Sequence, residues 1–111
     1  MWAREPIKVS NWKAATVKKV EKQIAALRLG GFDDWRVPNV EEQFLLADRT
    51  RTSPAIDMDF FPDCPSDWFW TSTPWTSSPA DYAWGVGFGG GSAGYDDRYD
   101  GGFVRAVRGG Q

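Results

Sequence analysis

The apolar positions of this chain change rhythm near residue 50. Before it, Val17, Val20, Ile24 and Leu27 recur at helical spacing, which puts them on one face of a helix. Ser10 or Asn11 can cap that helix, which is expected to start near Trp12, and Ala14, Ala15, Ala25 and Ala26 favour it. Gly30-Gly31 is expected to stop it, because glycine takes a left-handed cap conformation at little cost. A second, shorter helix is predicted after Pro38. Asn39 is its N-cap, Glu42 the reciprocal partner, and Phe44, Leu45 and Leu46 its buried residues. Beyond residue 51, Pro54, Pro62, Pro65, Pro74 and Pro79 break the chain into loops around three short predicted strands, at 68–72, 82–88 and 103–107.

In the second strand Tyr82, Trp84, Val86 and Phe88 alternate with Ala83, Gly85 and Gly87. Period-two alternation with very small residues opposite predicts one packed face and one face that another group approaches closely. Gly89-Gly90-Gly91 makes a turn, and residues 92–102 read either as an exposed loop or as an irregular strand. Helices come first and strands afterwards, which predicts an α+β domain rather than βαβ units.

Length and composition narrow the partners. A chain of 111 residues suits one domain, and seven Trp with seven Phe can fill its core where aliphatic residues are few. The net charge of −2 and the absence of a basic stripe argue against nucleic acid. Lys13, Lys18, Lys19 and Lys22 read as a solvated helix face. A single cysteine, Cys64, excludes an intrachain disulfide. The lack of histidine removes the commonest general base and metal ligand. No apolar run is long enough to cross a bilayer, and MWAREPIKVS lacks a signal-peptide core. No membrane partner is expected, and an intracellular or virion-associated location is expected over export by a signal peptide.

Several blocks together carry a resemblance. "LGGFDDWRVPNVEEQFLL" resembles the L-x-L-G-G-[YF]-x-D-W-R-L-P-[TS]-x-x-E-L signature of the Lcl C-terminal-like domain family. "MWAR", "IDMDFFPD", "WFWTSTPW", "YAWGVGF" and "FVRAVRG" resemble its other blocks in the same order. The resemblance implies a C-type-lectin-like fold, related to sulfatase-modifying and formylglycine-generating domains. It also implies kinship with adhesin-like modules and with phage or bacterial receptor-binding proteins. In this fold two helices pack on a small, irregular, mainly antiparallel sheet with long loops. Family members often carry a cysteine in the first helix and another in the last strand; here Ala106 takes the latter place, so that bridge is absent. The chain starts at the "MW" block, so the resemblance further implies that the family's first strand is missing. The final strand would then have an unpaired edge that a strand-donating partner or a second copy could fill.

The candidate chemistry is one of binding. In the resembled fold the loops before the last strand form the ligand face, here Tyr95, Asp96, Asp97, Arg98, Tyr99 and Asp100. Trp75 and Tyr82 flank loop 71–81 and extend that surface with rings that can stack on a sugar or anchor a protein. Asp57, Asp59 and Asp63 have oxygen-rich spacing, but the glycine and terminal glutamate of a calcium loop are missing, so no metal or cofactor is expected. Asp33, Asp34, Trp35 and Arg36 read as a structural corner that pins two helices to the sheet, with Arg36 held by a carboxylate or by backbone carbonyls. Arg105 is expected to tie the last strand to an interior carboxylate. Cys64 has no activating base, and its carboxylate neighbour should raise its pKa, so no enzyme is expected. The leading expectation is a non-enzymatic module that binds a glycan or protein surface. The alternative is a small phage- or host-interaction protein that binds and blocks one intracellular protein.

Overall fold

The computed structural model describes residues 1–62 and 64–109. In chain order the elements are β1 (Ile7–Val9), α1 (Ala14–Ala25), a 3-10 turn (Leu29–Gly31), α2 (Val40–Leu45), β2 (Trp68–Pro74), β3 (Tyr82–Gly87), β4 (Ser92–Asp97) and β5 (Gly102–Val104). One sheet orders them β1-β5-β2-β3-β4. Every pairing is antiparallel except β2 with β5, which run parallel and meet at Phe69 and Phe103. The domain is therefore α+β, with two helices and a mixed, open five-stranded sheet.

Alternation along β2 sorts the interior into two cores. Trp70 faces one side of the sheet, where Trp12, Val20, Ile24, Trp35 and Val104 pack, bringing α1 onto that face. Phe69 faces the other side with Ile56, Phe61, Val86 and Phe88, against which Val40, Leu46 and Ala47 of the α2 region pack. Trp68 explains the glycines of β3. Its ring lies over Gly85, Gly87 and Gly94, and a Cβ on Gly85 would stand 2.6 Å from both that ring and the Phe69 carbonyl oxygen. The close approach expected from the alternation of large and tiny residues is this indole.

The helices depart from expectation at their ends. α1 starts at Ala14; Trp12 stays outside it, buried, and its Nε1 donates to the Thr71 carbonyl at 3.0 Å. Lys13 occupies the N-cap without a side-chain bond, while Asn11 Oδ1 accepts from Lys13 N at 3.0 Å and Thr16 Oγ1 at 2.6 Å. α1 ends before the glycine pair, whose φ angles of 64° and 80° serve the following 3-10 turn instead. α2 has the predicted capping box between Asn39 and Glu42. Its burial differs. Gln43 is fully buried, whereas Phe44 is 36% and Leu45 83% exposed. A six-residue helix offers the sheet one row only, and Val40, Gln43 and Leu46 occupy it, leaving Phe44 and Leu45 turned away.

The expected unpaired final strand is overturned. β5 lies inside the sheet, with Ile7, Lys8 and Val9 opposite Val104, Phe103 and Gly102 on one side and β2 on the other. The sheet's edges are β1 and β4. β5 stops at Val104, and Val107 instead bridges to Trp2 and Arg36. Residues 92–97, read as loop or irregular strand, form β4 in unbroken register with β3.

The corner at residues 30–39 is built as expected. Trp35 is buried, and its Nε1 donates to the Leu29 carbonyl at 3.2 Å. Arg36 exchanges backbone hydrogen bonds with Val107, at 2.8 and 2.9 Å. Its guanidinium forks onto Glu42 at 2.8 and 2.6 Å and reaches the Gly109 carbonyl at 2.9 Å. Arg108 forks onto Asp34 at 2.7 and 3.1 Å and lies 3.6 Å over the Phe32 ring. Arg105 is fully buried; its Nη1 donates to the backbone carbonyls of Ala3 and Arg4, and among the described residues no carboxylate pairs with it. Beside it, burial pushes the Cys64 thiol up, while the Arg105 charge and a hydrogen bond to Arg105 oppose that shift.

Gly85→Ala should lower stability by about 1–3 kcal/mol through overpacking against a backbone oxygen and an indole. Gly89→Ala, where nothing lies within 4 Å of the added carbon, should leave the denaturation midpoint nearly unchanged. Glu42 gives a pH-linked test. The Arg36 hydrogen bonds hold its carboxyl below its ordinary value of 4.5, helped by the Asn39 N–H and the Arg36 charge, with burial opposing. The folded protein thus binds this proton less readily than the unfolded chain. The contribution is present above the ordinary value and lost as pH falls through the lowered folded value. Glu42→Gln should cost about 1 kcal/mol at neutral pH, mainly through the cap. Its gap to the native chain should close on acidification, as read by urea unfolding across pH.

Candidate functional site

Four aromatic side chains gather on the α2 side of the sheet. Trp84 of β3 stands directly opposite Tyr95 of β4, and Tyr82 lies two residues earlier on the same face. Trp75, just past β2, is drawn in by its backbone N–H, which donates to the Tyr82 carbonyl at 3.2 Å. The Trp75 and Tyr95 rings stack with centroids 4.2 Å apart and planes 6° from parallel. Tyr82 meets both edge-on, at 5.4 and 6.0 Å, and Trp84 meets Tyr95 at 6.0 Å. Tyr95 remains 49% exposed. The result is a rigid aromatic platform open to solvent at the edge of the sheet.

The turn after β4 adjoins the platform, and its residues divide by role. Asp97 sits opposite Tyr82, and its Oδ1 accepts from Tyr99 N at 2.9 Å. Asp96 points to the other side of the strand, where its Oδ1 accepts from Asp97 N at 2.8 Å. The negative charge of Asp96, with a hydrogen bond to it, raises the pKa of the exposed Asp100, and Asp97 adds to the effect. Tyr99 is 70% exposed, with Lys13 Nζ 3.5 Å over its ring.

Arg98 has a different task. Its Nε donates to the Pro79 carbonyl at 3.0 Å and its Nη1 to the Trp12 carbonyl at 2.9 Å. Its own backbone N–H and C=O bond to Asp81 and Trp12. It clamps three segments together, and burial pushes its pKa down. Lys13, Asp81, Asp97, Arg98 and Tyr99 line a shallow depression of about 250 Å³.

Trp75, Tyr82 and Tyr95 are thus brought into one cluster with Asp97 at its border, and Asp96, Tyr99 and Asp100 lie on the adjoining turn with Arg98, whose guanidinium is bonded to two carbonyls. Trp84 completes the platform and was missed, although its period-two spacing from Tyr82 placed it on the same face. A larger apolar groove of about 460 Å³ also escaped the sequence reading. It runs between the N-terminal segment and the end of α1, lined by Trp2, Ile7, Gln23, Leu27, Leu29 and Trp35. Nothing in local spacing brings residues 1–7 beside residues 23–35.

The acidic stretch before β2 is spent on its own turn. Asp57 Oδ1 accepts from Asp59 N at 2.9 Å, and Asp63 lies outside the described residues. Among the described residues no three His, Cys, Asp or Glu side chains come together to hold a metal ion.

Fold and site together define a small α+β domain that presents a packed aromatic face beside an acidic turn. The chain belongs to the family of the Lcl C-terminal domain, whose pattern matches residues 1–108. No curated protein and no solved structure matches it.

The division of roles is testable by stability. Arg98→Ala removes two side-chain bonds to carbonyls and should cost about 1–3 kcal/mol. Tyr99→Ala, at an exposed ring, should shift the unfolding midpoint far less.

Proposed function

We propose that this domain is a non-enzymatic recognition module. Its ligand, a glycan or a protein surface, docks on the Trp75–Tyr82–Trp84–Tyr95 platform and the adjoining turn of Asp96, Asp97, Tyr99 and Asp100. The observation that carries this reading is the stacked Trp75–Tyr95 pair, whose tyrosine is 49% exposed. Solvent-facing aromatics held rigid by their neighbours lose little entropy when a ligand covers them, which is why such rings dominate binding energy. The C-type-lectin-like relationship implied by the sequence blocks is part of the same proposal, since the platform lies on the segments just before the last strand.

Affinity capture and a glycan array, each with and without EDTA, test the reading. The native chain is compared with Trp75→Ala/Tyr95→Ala, checked for a cooperative unfolding transition. The double variant should lose about 2 kcal/mol or more of binding free energy for the retained ligand. Equal retention by both chains would put the recognition surface elsewhere.

A further inference from the structure

We propose that the free edge of β4 takes up an extended, positively charged polypeptide segment as a sixth strand of the sheet. This rests on the recognition face described above and specifies its partner.

The hydrogen-bond phase of β4 shows which groups are open. Arg98 N donates to Asp81 O at 2.9 Å, joining the residue after Asp97 to the residue before Tyr82. That bond flanks a non-hydrogen-bonded pair, so Tyr82–Asp97, Trp84–Tyr95 and Val86–Ala93 are all of that type. The backbone N–H and C=O groups of Ala93, Tyr95 and Asp97 therefore point away from β3. Asp97 uses its pair internally, its N–H on Asp96 Oδ1 and its C=O on the Asp100 N–H. Ala93 and Tyr95 keep theirs free of any described partner.

Exposed edges are ordinarily blunted by proline, lysine, bulges or brevity. β1, the opposite edge, has that protection: it is three residues long, follows Pro6 and carries Lys8. β4 has six residues in unbroken register, and Ser92, Ala93 and Gly94 along it are small and uncharged. A row of open amides is matched by another strand and has no counterpart in a sugar ring.

Charge selects the strand. Asp81, Asp96, Asp97 and Asp100 lie at one end of this edge. The nearby cations are engaged: Arg98 with two carbonyls, Lys13 over Tyr99. The negative charge of Asp96, with a hydrogen bond to it, and that of Asp97 raise the pKa of Asp100, in keeping with the acidic character of this end. A second copy pairing through β4 would bring Asp96 and Asp97 again, with Lys13 and Arg98 already engaged, whereas a basic segment neutralises the field. The alternation of β4 then sets the pattern. The residue opposite Tyr95 shares the aromatic face and suits an apolar side chain or a guanidinium over the rings. Its neighbour opposite Asp96 suits Lys or Arg.

Selection of a displayed random nonapeptide library on the full chain, followed by binding measurements with an enriched peptide, decides this. Enriched sequences should carry net positive charge, alternate basic with β-branched or aromatic residues and lack internal proline. Ala93→Pro removes only an outward N–H, a change that edge strands accept, and should weaken the enriched peptide by about tenfold or more. N-methylation of every second amide of the peptide should do the same without altering the protein, and added salt should weaken binding. Neutral or acidic enriched peptides, unchanged affinity for Ala93→Pro and the methylated peptide, no enrichment at all, or a dimer of the chain that Ala93→Pro dissociates would each overturn the proposal. If Trp75→Ala/Tyr95→Ala abolishes ligand capture while Ala93→Pro leaves it intact, the recognition face stands and strand addition falls.

Discussion

A guanidinium without access to solvent organises this domain. Arg105 follows β5, is fully buried, and lies 4.5 Å from the Phe61 ring centroid and 5.4 Å from that of Phe69. Burying such an ion costs several kcal/mol unless its donors are met. The oxygens that meet Nη1 come from Ala3 and Arg4, about a hundred positions away in the chain. Nε and Nη2 find no partner among the described residues, so Nη1 alone ties the guanidinium to the N-terminal segment. Ala3 N then donates to Ala106 O, Arg108 N to Met1 O, and β1 continues the same antiparallel run along β5. The last strand is internal because the first segment runs antiparallel beside it, meeting the interior cation on the way, and burial lowers that cation's pKa.

Around this zipper the corner closes the other side. Val107 pairs with Arg36, Arg108 with Asp34, and Arg36 with Glu42, so the segment joining the two helices is bonded to the chain immediately after Arg105. These surface ion pairs contribute little individually. Their effect is geometric: they hold α1 and α2 on opposite faces of a sheet whose central strands are thinned by glycine, so that Trp68 can lie across Gly85 and Gly94.

Much of this was legible because it is local. The capping box needs only Asn39 and Glu42, and the alternation in 82–88 needs only its own side chains. The corner was legible through the chemistry of Trp35 and Arg36. What failed was nonlocal or depended on element length. The carbonyls of Ala3 and Arg4 that meet Arg105 could not be foreseen, because a segment about a hundred positions away delivers them. Phe44 and Leu45 were expected inside because they are apolar, but a helix of six residues has one inward row and Gln43 sits in it. Of the binding candidates, the aromatic members fell into place through cross-strand register. The structural bonds of Arg98 were not legible, since only the fold brings the carbonyls of Pro79 and Trp12 to it.

The same short stretch thus does two jobs, and strand geometry separates them. Along β4 the side chains alternate between faces, giving Tyr95 and Asp97 to the aromatic side and Asp96 to the other. At Arg98 the backbone turns inward to Asp81 and the side chain crosses to Trp12, which anchors the end of the strand to the start of α1. A platform at the rim of a sheet would ordinarily be mobile, since an edge strand has one neighbour. Here the far end of β4 is clamped by Arg98 and its near end by Gly91, whose Cβ position is crowded by Arg49, Ala55 and Ala47. Tyr95 lies between two fixed points, stacked on Trp75, with its backbone edge open. The packing of the rings and the openness of the amides therefore come from one arrangement.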